Sequence, residues 1–368
     1  MAKQNTPFRY DYVGSFLRPE TLKEARSKYE AGIITKEELT SVEDQEIRAL
    51  VEKQKAAGYK VLTDGEFRRA TWHLDFMWGF DGVGHSKTET GLPFHGEAAM
   101  IDDTYLTGKV AVTGEHPFVE HFRFVKDLED EHTVAKQTIP APAQFFAQML
   151  IPGNLEQTRK VYKTDEELME DIAEGYRKVI RDLYDVGCRN LQLDDCTWGL
   201  LVAEGFAGSR EEIQESAEKF VKVNNLVIQN QPEDLVITTH VCRGNYHSAY
   251  FSSGAYDPIA KPLFGEEQVD AFYLEYDDER SGNFAPLAEV TGEKKVVLGL
   301  ITTKSPVLEE KEEVKKRIYE AAKYIPLDRL YLSPQCGFAS CEIGNKLTEE
   351  EQWAKLALVK EIAEEVWG

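Results

Sequence analysis

Short apolar runs alternate along the chain with polar turns and longer amphipathic stretches. Apolar runs rich in β-branched residues predict buried strands, and apolar residues recurring every three or four positions predict helices. Eight strands are predicted, at residues 10–15, 60–63, 134–139, 190–193, 235–245, 271–274, 296–301 and 330–332. Helices are predicted at 36–57, 165–186, 210–229, 308–324 and 348–366.

This alternation favours parallel strand pairing, because parallel strands need long crossover connections that are usually helical. Eight such units predict an α/β fold, a TIM-type (β/α)8 barrel forming one catalytic domain over residues 1–368. A doubly wound open sheet is the alternative. Between about 84 and 133 the pattern is short and alternating without helical periodicity, which predicts a β-hairpin excursion after the second strand.

The predicted strands change from apolar to polar at their carboxyl ends, the face where barrel enzymes place their active sites. The fifth strand ends in His240 and Cys242, and residues two apart in an extended chain point to the same side. Glu275 follows the sixth strand and Cys336 the eighth. Two thiolates, one imidazole and one carboxylate make a plausible tetrahedral zinc set.

Each member of this set also has an ordinary interpretation. A histidine such as His240 is more often a hydrogen-bonded side chain than a ligand, and a single cysteine is usually a small buried hydrophobe. Two nearby carboxylates compete with Glu275, and two further thiols compete with Cys336: Asp277, Asp278, Cys196 and Cys341.

Composition narrows the class of protein. A formal net charge of -22 disfavours nucleic acid and anionic membrane surfaces as partners. The sequence has no apolar run of membrane-spanning length, and its first fifteen residues do not read as a signal peptide. Five scattered cysteines do not resemble a secreted disulfide framework. We therefore expect a cytoplasmic protein whose thiols are free for a metal or for catalysis.

Six motifs occur in the order found in one known family: GSF at 14–16, DGE at 64–66, QLDD at 192–195, HVC at 240–242, LE at 274–275 and SPQCG at 333–337. Over nearly its whole length the chain resembles the catalytic barrel of the cobalamin-independent methionine synthase family. The resemblance implies methyl transfer to the thiol of homocysteine, giving methionine. It implies a zinc site at His240, Cys242, Glu275 and Cys336, and homocysteine contacts at Gly14, Ser15, Glu66 and Asp194.

Two of the homocysteine contacts have competing roles. Glu66 could instead pair with Arg68 or Arg69, and Asp194 and Asp195 could cap the helix after the fourth strand.

The donor side departs from the family pattern. In 5-methyltetrahydrofolate, or a related compound, the methyl group is carried on an amine. This amine becomes a good leaving group only when a general acid protonates it. Where the family has a histidine this chain has Lys304, which we expect to donate that proton, with Asp194 as the second catalytic candidate. Lys304 could instead bind a carboxylate or be a solvated loop residue. The family's tryptophan is unmatched, Phe145 and Phe146 being the nearest aromatics.

Two other functions stay open at this point. One is a zinc hydrolase on the same barrel, with Asp195 or Asp277 as the general base. The other is a non-enzymatic protein that binds zinc and homocysteine. Assembly into a homo-oligomer is also left open.

Overall fold

A computed structural model describes residues 5–88, 91–203 and 208–368. The strands are β1 (Val61–Leu62), β2 (Asp81–Ser86), β3 (Leu92–Phe94), β4 (Glu97–Ala99), β5 (Asp103–Ala111), β6 (Val134–Ala135), β7 (Gln137–Pro140), β8 (Asn190–Asp195), β9 (Val236–Val241), β10 (Ala271–Glu275), β11 (Lys295–Ile301) and β12 (Leu330–Pro334). The helices are α1 (Glu20–Glu30), α2 (Lys36–Ala56), α3 (Leu74–Met77), α4 (Pro117–Lys126), α5 (Pro142–Leu150), α6 (Pro152–Val161), α7 (Asp165–Asp185), α8 (Thr197–Leu201), α9 (Arg210–Ile228), α10 (Lys311–Ala321) and α11 (Glu349–Trp367). Short 3-10 or π segments lie at Asp257–Ile259, Lys261–Glu266, Glu279–Ser281, Ala285–Glu289 and Leu327–Arg329.

The centre of the fold is a parallel sheet in which β7 to β12 lie side by side in sequence order. A second parallel pair joins β1 to β6. Every residue of β8, β10 and β12 is buried, as expected when helices cover a parallel sheet. Within the described ranges, no helix is long and apolar enough to cross a membrane.

The expected closed barrel is shown only in part. The predicted first strand makes an isolated parallel bridge from Tyr10 to Leu332 and then leaves the sheet. It meets the loop after β1 through a bond from Phe16 N to Gly65 O (3.1 Å), and the Thr63 hydroxyl donates to Gly14 O. The hydrogen-bonded ladder is therefore interrupted here, because residues 12–16 bond to loops and side chains instead of a neighbouring strand. The structure shows a parallel α/β fold.

The long helices begin where the sequence places capping signals. A capping box of a hydroxyl residue and a glutamate three positions later precedes α2, α7, α9 and α11. These helices match their predicted ranges within two residues at each end. The helix predicted at 308–324 is shorter, and α10 begins only at Lys311. Helices α1, α5 and α6 were not predicted.

The segment after β1 differs from its prediction. Strands β2 and β5 pair antiparallel, as do β3 and β4, and α4 follows them. The expectation of a segment without helix is wrong, because Pro117 occupies the first turn and His116 accepts a bond from the Phe118 amide. Residues 89 and 90 of the predicted excursion lie outside the described residues.

A buried ion pair links the first segment to the sheet. Lys136 lies between β6 and β7, and its ammonium is 3.2 Å from Asp11 Oδ1, with both side chains fully buried. The same ammonium donates to Gln192 Oε1 at 3.0 Å. Taking two charges out of water is costly, so each depends on its partner for compensation.

We predict that Lys136→Met destabilises the protein by about 3–5 kcal/mol, because it leaves the Asp11 carboxylate buried without its counter-charge. The double variant Asp11→Asn/Lys136→Met removes both charges and should lose much less. Urea unfolding of the single and double variants measures the difference. Equal stability of the two variants would show that the pair is not coupled.

Candidate metal centre and substrate cavity

Four of the predicted residues meet at the carboxyl ends of the parallel strands. The register of β9 and β10 places His240 opposite Tyr273, which brings the ends of these strands together. Cys242 follows β9, Glu275 ends β10 and Cys336 follows β12. One donor atom from each residue lies within 4.8 Å of the donor atoms of the other three, and all four side chains are buried.

The distances suit a small tetrahedral ion. Cys242 Sγ and Cys336 Sγ are 3.7 Å apart. Two sulfurs at the usual zinc–sulfur distance of about 2.3 Å in a tetrahedral site would be separated by about 3.8 Å. The thiol–thiol hydrogen bond with Cys242, together with burial, raises the pKa of Cys336 well above its usual value. A divalent cation would offset the cost of holding both as thiolates.

Two orphaned atoms also fit a metal. His240 Nδ1 lies 3.3 Å from the carbonyl oxygen of Tyr273, so this nitrogen carries the proton. The other ring nitrogen, Nε2, is buried without a hydrogen-bond partner, as is Glu275 Oε2. The remaining oxygen, Glu275 Oε1, accepts from the backbone of Arg243 at 2.8 Å. Buried polar atoms without partners are rare in proteins, and a shared cation would satisfy both of them.

Lys304 lies against this group. Its ammonium is 3.8 Å from Glu275 Oε2 and has no hydrogen-bond partner. Burial lowers the pKa of Lys304, but the carboxylates of Glu275 and Asp277 outweigh it and leave the pKa raised. Lys304 is not among the described residues that line the adjoining cavity.

A cavity of about 510 Å³ opens beside the four residues. His240, Cys242 and Cys336 contribute to its wall, together with Ser15, Glu66 and Asp194. The structure therefore brings the predicted metal ligands and three of the predicted homocysteine contacts to one space. Gly14, the fourth, is not among the described residues that line the cavity, and its carbonyl accepts from Thr63.

Each of the two carboxylates in the wall accepts a hydrogen bond through one oxygen. Glu66 Oε1 accepts from the Thr138 hydroxyl at 3.0 Å and lies 3.3 Å from Arg69, whereas Oε2 has no partner. The sequence alternative of an arginine pair for Glu66 is thus present, and it occupies one oxygen. Asp194 Oδ1 accepts from Gln192, and burial with the nearby Glu66 raises the pKa of Asp194 to about 8.

Ser15 joins the cavity wall to the loop that carries Cys336. Its hydroxyl accepts from the amide of Ala339 (3.3 Å), and its carbonyl accepts from Phe338. A Cβ atom at Gly337 would lie 1.9 Å from Ser15 Oγ. This close approach requires glycine at position 337 and fixes the loop that holds Cys336.

The rival residues have other roles. Asp195 accepts from the Thr197 amide at 2.8 Å, and its other oxygen accepts from Asn224. The N-cap residue of α8 is Cys196, so the predicted helix cap by Asp194 or Asp195 is not formed. Asp277 pairs with Arg280 at 3.1 Å. Cys196 lines the same cavity but falls outside the four-residue group.

The sequence analysis did not predict several of the residues that line the cavity. Trp72 and His73 line the cavity and stack at 4.5 Å, whereas Phe145 and Phe146, the aromatics considered from sequence, are buried in the core. Burial lowers the pKa of His73 to about 3. Arg243 also lines the cavity. The sequence could have indicated this residue, because it directly follows the HVC motif.

The chain is similar in sequence to known proteins. Residues 154–365 match the family described as "Cobalamin-independent synthase, Catalytic domain". The "Uncharacterized protein YxjH" of Bacillus subtilis is 44% identical over 99% of this chain and 96% of its own length. A methionine synthase of Saccharolobus solfataricus is 23% identical, over 88% of this chain and 86% of its own.

A solved structure from Listeria monocytogenes, described as a candidate vitamin-B12 independent methionine synthase, is 40% identical with a TM-score of 0.77, and each chain is covered completely. The family match spans more than half of the chain, and the Listeria structure, which covers the whole chain, carries a description of the same family. The chain therefore belongs to the cobalamin-independent methionine synthase family, whose catalytic domain it carries.

Proposed function

We propose that this protein is a zinc-dependent methyltransferase that moves a methyl group to the thiol of homocysteine and forms methionine. The observation that carries the proposal is the group of His240, Cys242, Glu275 and Cys336, whose donor atoms converge within 4.8 Å at the edge of a cavity. Two thiols in the set favour thiol chemistry, because hydrolytic zinc sites more often use several histidines.

The four side chains would hold the ion, and the neighbouring backbone would orient them. The Gly244 amide donates to Cys242 Sγ at 3.3 Å, and the Tyr273 carbonyl fixes the tautomer of His240. Bound there, zinc would lower the pKa of the substrate thiol so that the reactive thiolate is present at neutral pH.

The carboxylates of the cavity suit the ammonium of homocysteine. Glu66 Oε2 is free, and Asp194 lies in the same wall. The binding of an ammonium would stabilise the ionised form of Asp194, whose pKa is otherwise raised to about 8. We assign the carboxylate of homocysteine to the region of Ser15, a hydroxyl that can also donate.

For Lys304 we propose a carboxylate-binding role in place of proton donation. Its ammonium is 3.8 Å from Glu275 Oε2, and Lys304 is not among the described residues that line the cavity. Lys304 is therefore placed to contact Glu275 and not a methyl donor. A carboxylate is the most readily displaced ligand beside two thiolates. Lys304 would receive Glu275 when the substrate thiol takes its place.

We also make a proposal about the plan of the whole fold. The first segment lies between β12 and the loop after β1, as a strand of a TIM-type (β/α)8 barrel would. We propose a single catalytic domain on this barrel plan, with the first strand made irregular by its bonds to loops.

The zinc hydrolase is the weaker alternative. Asp195 and Asp277, its candidate general bases, are both engaged, the first with Thr197 and Asn224 and the second with Arg280. Neither is among the described residues that line the cavity.

Zinc X-ray absorption of the reduced protein tests the acceptor half of this proposal. We expect two sulfur ligands initially and a third after homocysteine is added, because the substrate thiolate enters the first coordination shell. Cys336→Ser should lose one sulfur and bind zinc more weakly, and Cys341→Ser is the matched control. If homocysteine leaves the number of sulfur ligands unchanged, the protein binds zinc but does not activate the thiol. If zinc in Cys336→Ser still has two sulfur ligands, the proposed ligand set is wrong.

Asp194→Asn should weaken homocysteine binding about tenfold or more while zinc content stays the same, because an amide lacks the charge that pairs with the ammonium. Isothermal titration calorimetry measures the affinity, and metal analysis provides the control. Affinity equal to that of the unmodified protein would remove Asp194 from the amine site.

Lys304→Met should also weaken homocysteine binding by at least tenfold, because displaced Glu275 would be left as an unpaired buried charge. Zinc should still bind, and Lys304→Arg should restore most of the homocysteine affinity. The same calorimetry decides the question, and a Met variant that binds homocysteine normally would contradict this role.

A further inference from the structure

Arg243 lies in the cavity wall with an unsatisfied guanidinium group. The residue lines the cavity and is 1% exposed. None of its three guanidinium nitrogens has a hydrogen-bond partner among the described residues. The guanidinium carbon lies 4.4 Å from the centre of the Tyr256 ring, a contact that attracts a cation but gives its N–H groups no acceptor. A buried charge with unpaired donors is costly, so this side chain needs a partner that the described residues do not supply.

Two other buried arginines show what a guanidinium that serves the fold looks like. Arg18 donates to five backbone carbonyl groups. Arg69 donates to the carbonyl and hydroxyl oxygens of Thr138, at 2.8 and 2.9 Å, and lies 3.3 Å from Glu66. Buried polar groups are normally bonded in this way. Arg243 makes no such side-chain bond to the described residues, which sets it apart from a purely structural arginine.

Arg243 is also the cation of the cavity wall. Among the described lining residues, the others that can carry a positive charge are two histidines. Burial lowers the pKa of His73 to about 3, so it is neutral, and His240 belongs to the candidate metal centre. Glu66 and Asp194 are assigned to the ammonium of homocysteine. An anionic group that enters this cavity would therefore bind at Arg243, because a guanidinium and a carboxylate form paired, charge-assisted hydrogen bonds.

The main chain of Arg243 lies between the metal centre and the loop side of the cavity. Its amide donates to Glu275 Oε1 at 2.8 Å, and its carbonyl accepts from the amides of Phe251 and Ser252, both at 2.9 Å. Phe251 lines the cavity and packs on Phe94 of β3, with 5.4 Å between the ring centres. The homocysteine contacts assigned above come from other segments of the chain. Arg243 therefore lies on the side that is left for the methyl donor.

We propose that Arg243 binds a carboxylate group of the methyl donor, so that the cavity selects anionic donors over neutral ones. The inference rests on the proposed function, because a donor is needed only where a methyl group is transferred. Arg243 acts as a specificity-determining residue and takes no part in the bonds that are made and broken. The chain has a net charge of -22, so an anionic donor depends on this local cation and not on the field of the whole protein.

Calorimetry of the zinc-loaded protein saturated with homocysteine tests this charge preference. Two unreactive carboxylates, tetrahydrofolate and N-benzoylglutamate, are each compared with the corresponding diamide, which has nearly the same size but no negative charge. We expect the anionic form of at least one pair to bind about tenfold or more tightly than its diamide, because only the carboxylate pairs with the guanidinium. If neither anionic form binds more tightly than its diamide, the inference is overturned.

Variants at position 243 assign the preference to this side chain. Arg243→Met should reduce the ratio of the two affinities to about twofold or less, and Arg243→Lys, which keeps the charge without the planar fork, should give an intermediate ratio. Arg181→Met removes the same charge from an exposed position of α7 and is the matched control. A structural role would weaken both forms of a probe alike, so a ratio that stays the same in every folded variant refutes the carboxylate contact. The Lys variant keeps the buried charge and answers the question where the Met variant does not fold.

Homocysteine alone separates the two sources of a carboxylate. Its affinity for Arg243→Met should stay within about twofold of that for the unmodified protein, because its own carboxylate is assigned to Ser15. A large loss of homocysteine affinity with an unchanged probe ratio would place the amino-acid carboxylate at Arg243 and reject the donor assignment. Zinc X-ray absorption distinguishes the two levels of failure. Without a third sulfur after homocysteine addition the proposed function itself fails, whereas a third sulfur without any charge preference rejects this inference alone.

Discussion

Parallel strand pairing is the constraint on which the site depends. Because neighbouring strands run in the same direction, their carboxyl ends meet at one edge, and register fixes which residues face each other there. Asp194 lies opposite His240, and His240 lies opposite Tyr273. These pairings place the carboxylate of Asp194 one strand from the candidate metal ligands. A one-residue slip would turn His240 to the other face of the sheet.

Buried charges supply a second layer of organisation. Lys136 pairs with Asp11 and donates to Gln192, which in turn donates to Asp194. The side chain of Gln192 therefore connects the buried ion pair to the cavity wall. Lys304 faces Glu275 in the same way. Each of these contacts compensates part of the cost of holding a charge away from water, and each restricts where the carboxylate can point.

The two halves of the cavity have different origins. One side is built from ends of the central strands and carries the candidate metal ligands. The other side is built from later loops and from the hairpin of β3 and β4, which places Phe94 on Tyr246 and Phe251. Loops vary without disturbing the sheet, so the loop side can change while the strand-end side is retained.

The sequence by itself determined the α/β alternation, the main helix starts and the polar strand ends that carry the candidate metal ligands. Those features follow from periodicity, capping residues and polar strand ends, which are local properties. Only the tertiary structure decided that Cys336, and not Cys196 or Cys341, joins His240, that Lys304 lies against Glu275, and that the first strand leaves the ladder. These outcomes depend on loop paths, such as the close packing of Gly337 on Ser15 between residues more than 300 positions apart. A local pattern fixes the face on which a side chain lies, whereas such long-range contacts fix which other side chain it meets.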